Sequence, residues 1–167
     1  MASQLYLEYL NNLTHPARLA GAEATMKTVH SVLLVHDEPG AFRGLEETLH
    51  NQEIRTSHAH QCAEARKVLK REGPVDLVLT DVALADGTWK DVIRSVHRVA
   101  KRTPVIVMSR VVDMRLYLDT QDAGAADFIV PPMAPRDLAY TLAAAIHRIS
   151  AASIGHARAH RHDPPVQ

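Results

Sequence analysis

Two aspartates and a serine stand at the ends of short apolar runs: Asp37 just beyond "SVLLVH" (31–36), Asp81 just beyond "VDLVLT" (75–80), and Ser109 closing "TPVIVMS" (103–109). If these runs are neighbouring strands, their ends share one rim and the two carboxylates converge there. Paired carboxylates in a cleft repel one another unless a cation lies between them, and oxygen donors with room for waters suit Mg²⁺. A lone hydroxyl one strand away can donate to a phosphoryl oxygen held on that metal. Every other reading of the chain depends on whether the remaining elements bring these three groups together.

Five apolar runs recur, the other two being "IRTSHA" (54–59) and "ADFIVP" (126–131). Four are continuous rather than alternating, as parallel strands covered on both faces require; the second is more polar and fits an edge. Between them lie stripes at helical spacing: Phe42, Leu45 and Leu49; Ala65, Val68 and Leu69; Trp89, Val92, Ile93 and Val96; and Leu138, Leu142, Ala145, Ile146 and Ile149. The segment 111–122 also reads as helical, although Val111, Val112 and Tyr117 are weak helix formers. Strand–helix alternation repeated five times predicts an α/β domain over 29–150, a doubly wound (βα)5 flavodoxin-like sandwich with a five-stranded parallel sheet of order 2-1-3-4-5. In such folds the chemistry sits at the carboxyl ends of the strands, where Asp37, Asp81 and Ser109 lie.

Composition narrows the class. At 167 residues the chain suits one domain with a short appendage. Hydrophobic residues are 46% but aromatics only 4%, so the core is aliphatic. Lys+Arg and Asp+Glu both number 19, a balance that gives no electrostatic reason to expect nucleic acid or an anionic membrane as partner. The single cysteine, Cys62, suits a reducing compartment, and no apolar run approaches the roughly 20 residues of a membrane span; a cytoplasmic location is expected. Residues 1–28 read as a helical arm, with Leu5, Tyr6, Tyr9, Leu10 and Leu13 offering a packing face or a homodimer contact. Met26 would itself serve as a start, which would leave part of that arm outside the native chain. Residues 151–167 read as a disordered polar tail. His58 and His60, and His156, His160 and His162 in the tail, are metal-friendly in type but read as surface residues.

Four motifs resemble the receiver domain of two-component response regulators: "LLVHDEPG", "DLVLTDVALADG" at 76–87, "TPVIVMSR", and "GAADFIVPPMAPRDL" at 124–138. The resemblance implies that Asp81 is the phosphoacceptor, that Asp37 and Asp81 are direct Mg²⁺ ligands, and that the backbone carbonyl of Ala83 completes the protein's share of the metal shell. Ser109 would be the switch hydroxyl and Phe128 the switch aromatic, with Asp127 and Arg110 on the switch face. Several positions depart from the family. His36 stands where a second acid usually steadies a metal-bound water, leaving it at most an indirect contact. Pro131 stands where the family has lysine before a proline, so "VPPM" keeps the hard stop to the strand and loses the cation. The Pro131–Pro132 bond is expected to be cis, as in the family's loop. Arg110 is a candidate replacement cation, being always charged and long.

The function this implies is not enzymatic: a receiver that takes a phosphoryl group from a histidine kinase or phosphotransfer protein onto Asp81. The 17 residues after 150 are too few for an output domain, which predicts signalling to a downstream protein by contact. A degenerate receiver acting as a phosphorylation-independent interaction module is the alternative. An Mg²⁺-dependent phosphohydrolase ranks lower because "VHDEPG" lacks an Asp-x-Asp pair, and a flavin site lower still because no phosphate-binding loop follows the first strand.

Overall fold

The computed structural model describes residues 29–38 and 42–146; the proposed arm at 1–28 and tail at 151–167 lie outside them. The elements run β1 (Ser31–Val35), α1 (Arg43–Asn51), β2 (Arg55–Ala59), α2 (Cys62–Glu72), β3 (Leu77–Asp81), β4 (Ala83–Leu84), β5 (Gly87–Thr88), α3 (Trp89–Val99), β6 (Val105–Met108), α4 (Met114–Asp122), β7 (Asp127–Ile129) and α5 (135–146). Five strands form one parallel sheet in the order β2-β1-β3-β6-β7, the expected 2-1-3-4-5 once the two short strands are set aside, with the polar second strand at an edge.

Side-chain alternation along each strand explains why both faces must be covered. Leu33, Val35, Val78, Val105, Val107 and Phe128 point to one face, where they pack with Ala65, Val68 and Leu69 of α2 and Trp89, Val92 and Val96 of α3. Val32, Leu34, Leu77, Leu79, Ile106, Met108 and Ile129 point to the other, against Leu45 and Leu49 of α1 and Leu138, Leu142 and Ala145 of α5. A side chain such as Leu33 or Leu79, fully excluded from water, contributes about 1.5–3 kcal/mol. The core is therefore two aliphatic layers separated by the sheet.

Two local features differ from expectation. Helix α4 starts at Met114 rather than at 111, because Asp113 accepts hydrogen bonds from the amides of Arg115 (2.9 Å) and Leu116 (3.1 Å) and so fixes the start. Val111 and Val112 precede it and are exposed. The chain after Asp81 also forms an antiparallel ladder, β4 with β5, that the motif did not suggest. Asp86 in its turn accepts the amides of Cys62 (2.7 Å) and Ala63 (3.0 Å), capping α2 from outside the helix. Although desolvation works upward, these amides hold the Asp86 carboxyl below the ordinary range. A Cβ at Gly87 would lie 2.9 Å from Asp91 Oδ2 and 3.2 Å from Cys62 Sγ, so those side chains would have to shift. Burial first, and then the hydrogen bond and charge of Asp86, push the Cys62 thiol up to about 11, so it is neither thiolate nor nucleophile at neutral pH.

Removing the Asp86 cap should destabilise α2 in particular. Asp86→Ala is expected to cost about 1 kcal/mol, a fall in Tm of about 2–4 °C for a chain this size, with faster amide exchange at Cys62 and Ala63. Unchanged exchange at those two amides would show that the cap contributes nothing.

Candidate functional site

The strand ends assemble one rim. Val35 pairs with Thr80, which carries His36 and Asp37 out of β1 at the level of Asp81. Asp81 pairs with Met108 and Met108 with Ile129, so Ser109 and Val130 leave the sheet alongside. Asp81 is the last residue of the central strand and only 8% exposed. One carboxylate oxygen, Oδ1, accepts the Val82 amide at 2.7 Å. The other, Oδ2, faces Arg110 Nη2 at 3.8 Å, an ion-pair distance too long for a direct hydrogen bond.

Loss of water pushes the Asp81 carboxyl above its ordinary range, and the negative charge of Asp37 adds to this; the Val82 amide and Arg110 pull the other way without cancelling it. Buried negative charge thus accumulates at one spot beside the exposed Asp37. Hard oxygen donors with an unmet need for positive charge fit Mg²⁺. Ala83, two residues beyond Asp81, opens β4.

The remaining predicted residues are placed as follows. Arg110 is exposed and forms its closest ion pair with Glu38, a residue the sequence reading did not single out; the signal was present in "VHDEPG", where Glu38 follows Asp37. Ser109 is buried, and its hydroxyl is engaged away from Asp81: Oγ donates to the Val111 carbonyl (2.8 Å) and accepts the Val111 amide (3.2 Å). Phe128 is buried, edge-on to Tyr117 with ring centroids 6.1 Å apart. Asp127 starts β7 and accepts the Phe128 amide at 2.9 Å. The Pro131–Pro132 bond is cis, and no cation stands in the lysine position. His36 is buried and turned toward α1 and β2, with Nε2 3.5 Å from Glu46 Oε1.

The response regulator receiver domain family matches residues 32–143, and the chain belongs to that family. It is 36% identical over 101 residues to the response regulator protein PilR of Pseudomonas aeruginosa, covering 60% of this chain and 22% of that one. To the transcriptional regulatory protein KdpE of Mycobacterium tuberculosis it is 32% identical over 122 residues, 73% of this chain and 53% of that one. The chain thus spans about a fifth of one of these relatives and about half of the other. Among solved structures, the non-phosphorylated HemR receiver domain from Leptospira biflexa is similar at a TM-score of 0.58 and 28% identity, covering 70% of this chain and 94% of that one. A putative response regulator from Chloroflexus aurantiacus superposes at a TM-score of 0.65 with 23% identity, covering 73% of this chain and all of that one, a likeness of fold. Receiver domains are signalling modules that work with histidine kinases or phosphotransfer proteins and generally bind Mg²⁺ at the phosphorylation site. No helix among the described residues is long and apolar enough to cross a membrane.

The strained charge on Asp81 predicts a stability signature. A carboxyl whose folded-state pKa stands above its unfolded value holds its proton more tightly in the native state, so its contribution to stability falls as pH rises through that interval. In metal-free buffer, Asp81→Asn should stabilise the protein at pH 7, and the gain should vanish below the ordinary carboxylate range of about pH 4. Denaturant titrations at both pH values check this; an equal effect at the two would mean that the Asp81 charge is not strained.

Proposed function

We propose that this chain receives a phosphoryl group on Asp81, with Mg²⁺ held by Asp37, Asp81 and the Ala83 carbonyl, and that Arg110 supplies the cation that Pro131 no longer provides. The observation that carries this reading is the buried Asp81 carboxylate at the end of the central strand, with Oδ2 facing Arg110. An Asp81 oxygen attacks the phosphorus of a phosphohistidine; the new O–P bond forms as the P–N bond breaks, and the departing imidazole takes a proton from solvent. Mg²⁺, when bound, offsets negative charge on the phosphoryl oxygens and both carboxylates. Asp81 stays a nucleophile because Val82 holds one oxygen and leaves Oδ2 outward. Arg110 carries its charge at every working pH, favoured first by Glu38 and then by Asp81. His36, turned toward Glu46, plays no direct part in the Mg²⁺ shell on this reading. Response then passes by contact to a partner protein, with Ser109 leaving Val111 for the phosphoryl group and Phe128 following.

A second reading rests on the same groups. The Glu38–Arg110 ion pair and the Ser109–Val111 hydrogen bonds occupy both phosphate-sensing side chains, as a phosphorylation-independent interaction module would. Treatment with acetyl phosphate and Mg²⁺ separates the two. The first reading expects a gain of one phosphoryl mass that Asp81→Asn abolishes; no adduct on the wild-type chain favours the second, and an adduct that survives the substitution removes Asp81 from the role.

The cation has its own test. Arg110 is exposed, so solvent weakens its contact, and Arg110→Met should slow phosphorylation by roughly tenfold. Adding Pro131→Lys to that variant should recover most of the loss. A rate indifferent to Arg110→Met would mean that this side chain serves Glu38 alone.

A further inference from the structure

A second cluster of ligating atoms lies one residue from Asp37, on the edge of the sheet, and the reading of Asp81 makes no use of it. His36 Nε2, Glu46 Oε1 and His58 Nδ1 lie within 4.8 Å of one another, drawn from the end of β1, the first turn of α1 and the edge strand β2. The rings of His36 and His58 meet edge to face with centroids 5.8 Å apart.

The protonation pattern of His36 gives the cluster its meaning. Its Nδ1 lies 3.0 Å from the Glu38 carbonyl oxygen. A carbonyl only accepts, so Nδ1 donates there, which leaves Nε2 as the ring atom available to a ligand. That atom is excluded from water, on a residue 3% exposed, and has no hydrogen-bond partner among the described residues. Its neighbour, Glu46 Oε1, is also an acceptor. A buried lone pair facing a half-buried carboxylate oxygen calls for a positive charge between them. A bridging proton would draw nitrogen and oxygen to about 2.7–2.9 Å. The observed 3.5 Å is longer, and close to the roughly 3.4 Å edge of a tetrahedron whose centre lies about 2.1 Å from each ligand. His58 Nδ1, at 4.0 Å from the same oxygen, supplies a third vertex. The carbonyl behind His36 is the support that metal-binding imidazoles ordinarily have on their second nitrogen.

We propose that His36, Glu46 and His58 form a site for a divalent transition-metal ion of the zinc type. Two imidazoles and one carboxylate are a donor set for Zn²⁺, Co²⁺ or Ni²⁺ rather than for Mg²⁺, so the site and the Asp37–Asp81 pair select different ions. Side chains 30% exposed at Glu46 and 41% exposed at His58 leave a way in from solvent and room for water at the fourth position. An ion there ties β1, α1 and β2 together immediately beside Asp37. The site stands whether or not Asp81 is phosphorylated.

Calorimetric titration of Zn²⁺ into the untagged full-length chain, with millimolar Mg²⁺ present throughout, tests this. One tight equivalent is expected, with Co²⁺ in its place giving the visible absorption of a tetrahedral ion. Glu46→Gln and His58→Ala, both at solvent-accessible positions, should each weaken that equivalent at least about tenfold. A variant with His156, His160 and His162 all replaced by Ala should keep it, and so should Asp81→Asn. Absence of a tight equivalent would overturn the proposal. So would its survival in the Glu46→Gln/His58→Ala double variant, or its loss in either the tail variant or Asp81→Asn.

Discussion

Everything at the rim follows from placing an ionisable carboxyl at the end of the most central strand. β3 has a neighbour on each side and an apolar layer on each face, so Asp81 comes out of the sheet with little water around it. An ordinary surface aspartate would need nothing further. This one needs compensation, and the structure supplies it in part: an amide from Val82, a guanidinium at ion-pair distance, and donors suited to a cation. What is left uncompensated is the desolvation of the carboxyl itself, which holds it above its ordinary range.

The scaffold can hold that carboxyl there because its two aliphatic layers are independent. One is closed by α1 and α5, the other by α2 and α3, and the sheet between them is shared. Tethers outside the core keep helices and loops in step. Gln52 reaches from the end of α1 to the Pro135 carbonyl at the start of α5, at 2.9 Å. Asp86 ties the segment after β3 to α2. These are polar contacts of about 1 kcal/mol each, small beside the apolar layers.

Much of this was legible in the sequence. The continuous apolar runs gave parallel strands with both faces covered, and the polar run 54–59 gave the edge, because burial dictates residue type directly. The convergence of Asp37, Asp81 and Ser109 on one rim followed from strand order alone. What was not legible depended on side-chain direction. Val111 and Val112 look like the start of a helix, but one carboxylate, Asp113, sets the start later. Ser109 looks free to face Asp81, yet its hydroxyl closes a turn on Val111. His36 reads as standing in for an acid, with at most an indirect contact, until the fold turns its ring toward Glu46, ten positions away, and His58 on another strand. Periodicity carries no information about such pairings.

The replacement of a strand-end lysine by Pro131 changes more than the charge of the rim. On the proposed reading the cation facing Asp81 is now Arg110, the residue next to Ser109. The two groups that would sense a phosphoryl oxygen are therefore consecutive in the chain, on the single connection between β6 and α4. A receiver with its cation at the end of the last strand grips the phosphoryl group from two separate loops and reports it through both. Here the grip comes from one side only. Whatever binds this protein would read the setting of one hinge, and that hinge leads straight through the exposed Val111 and Val112 into α4.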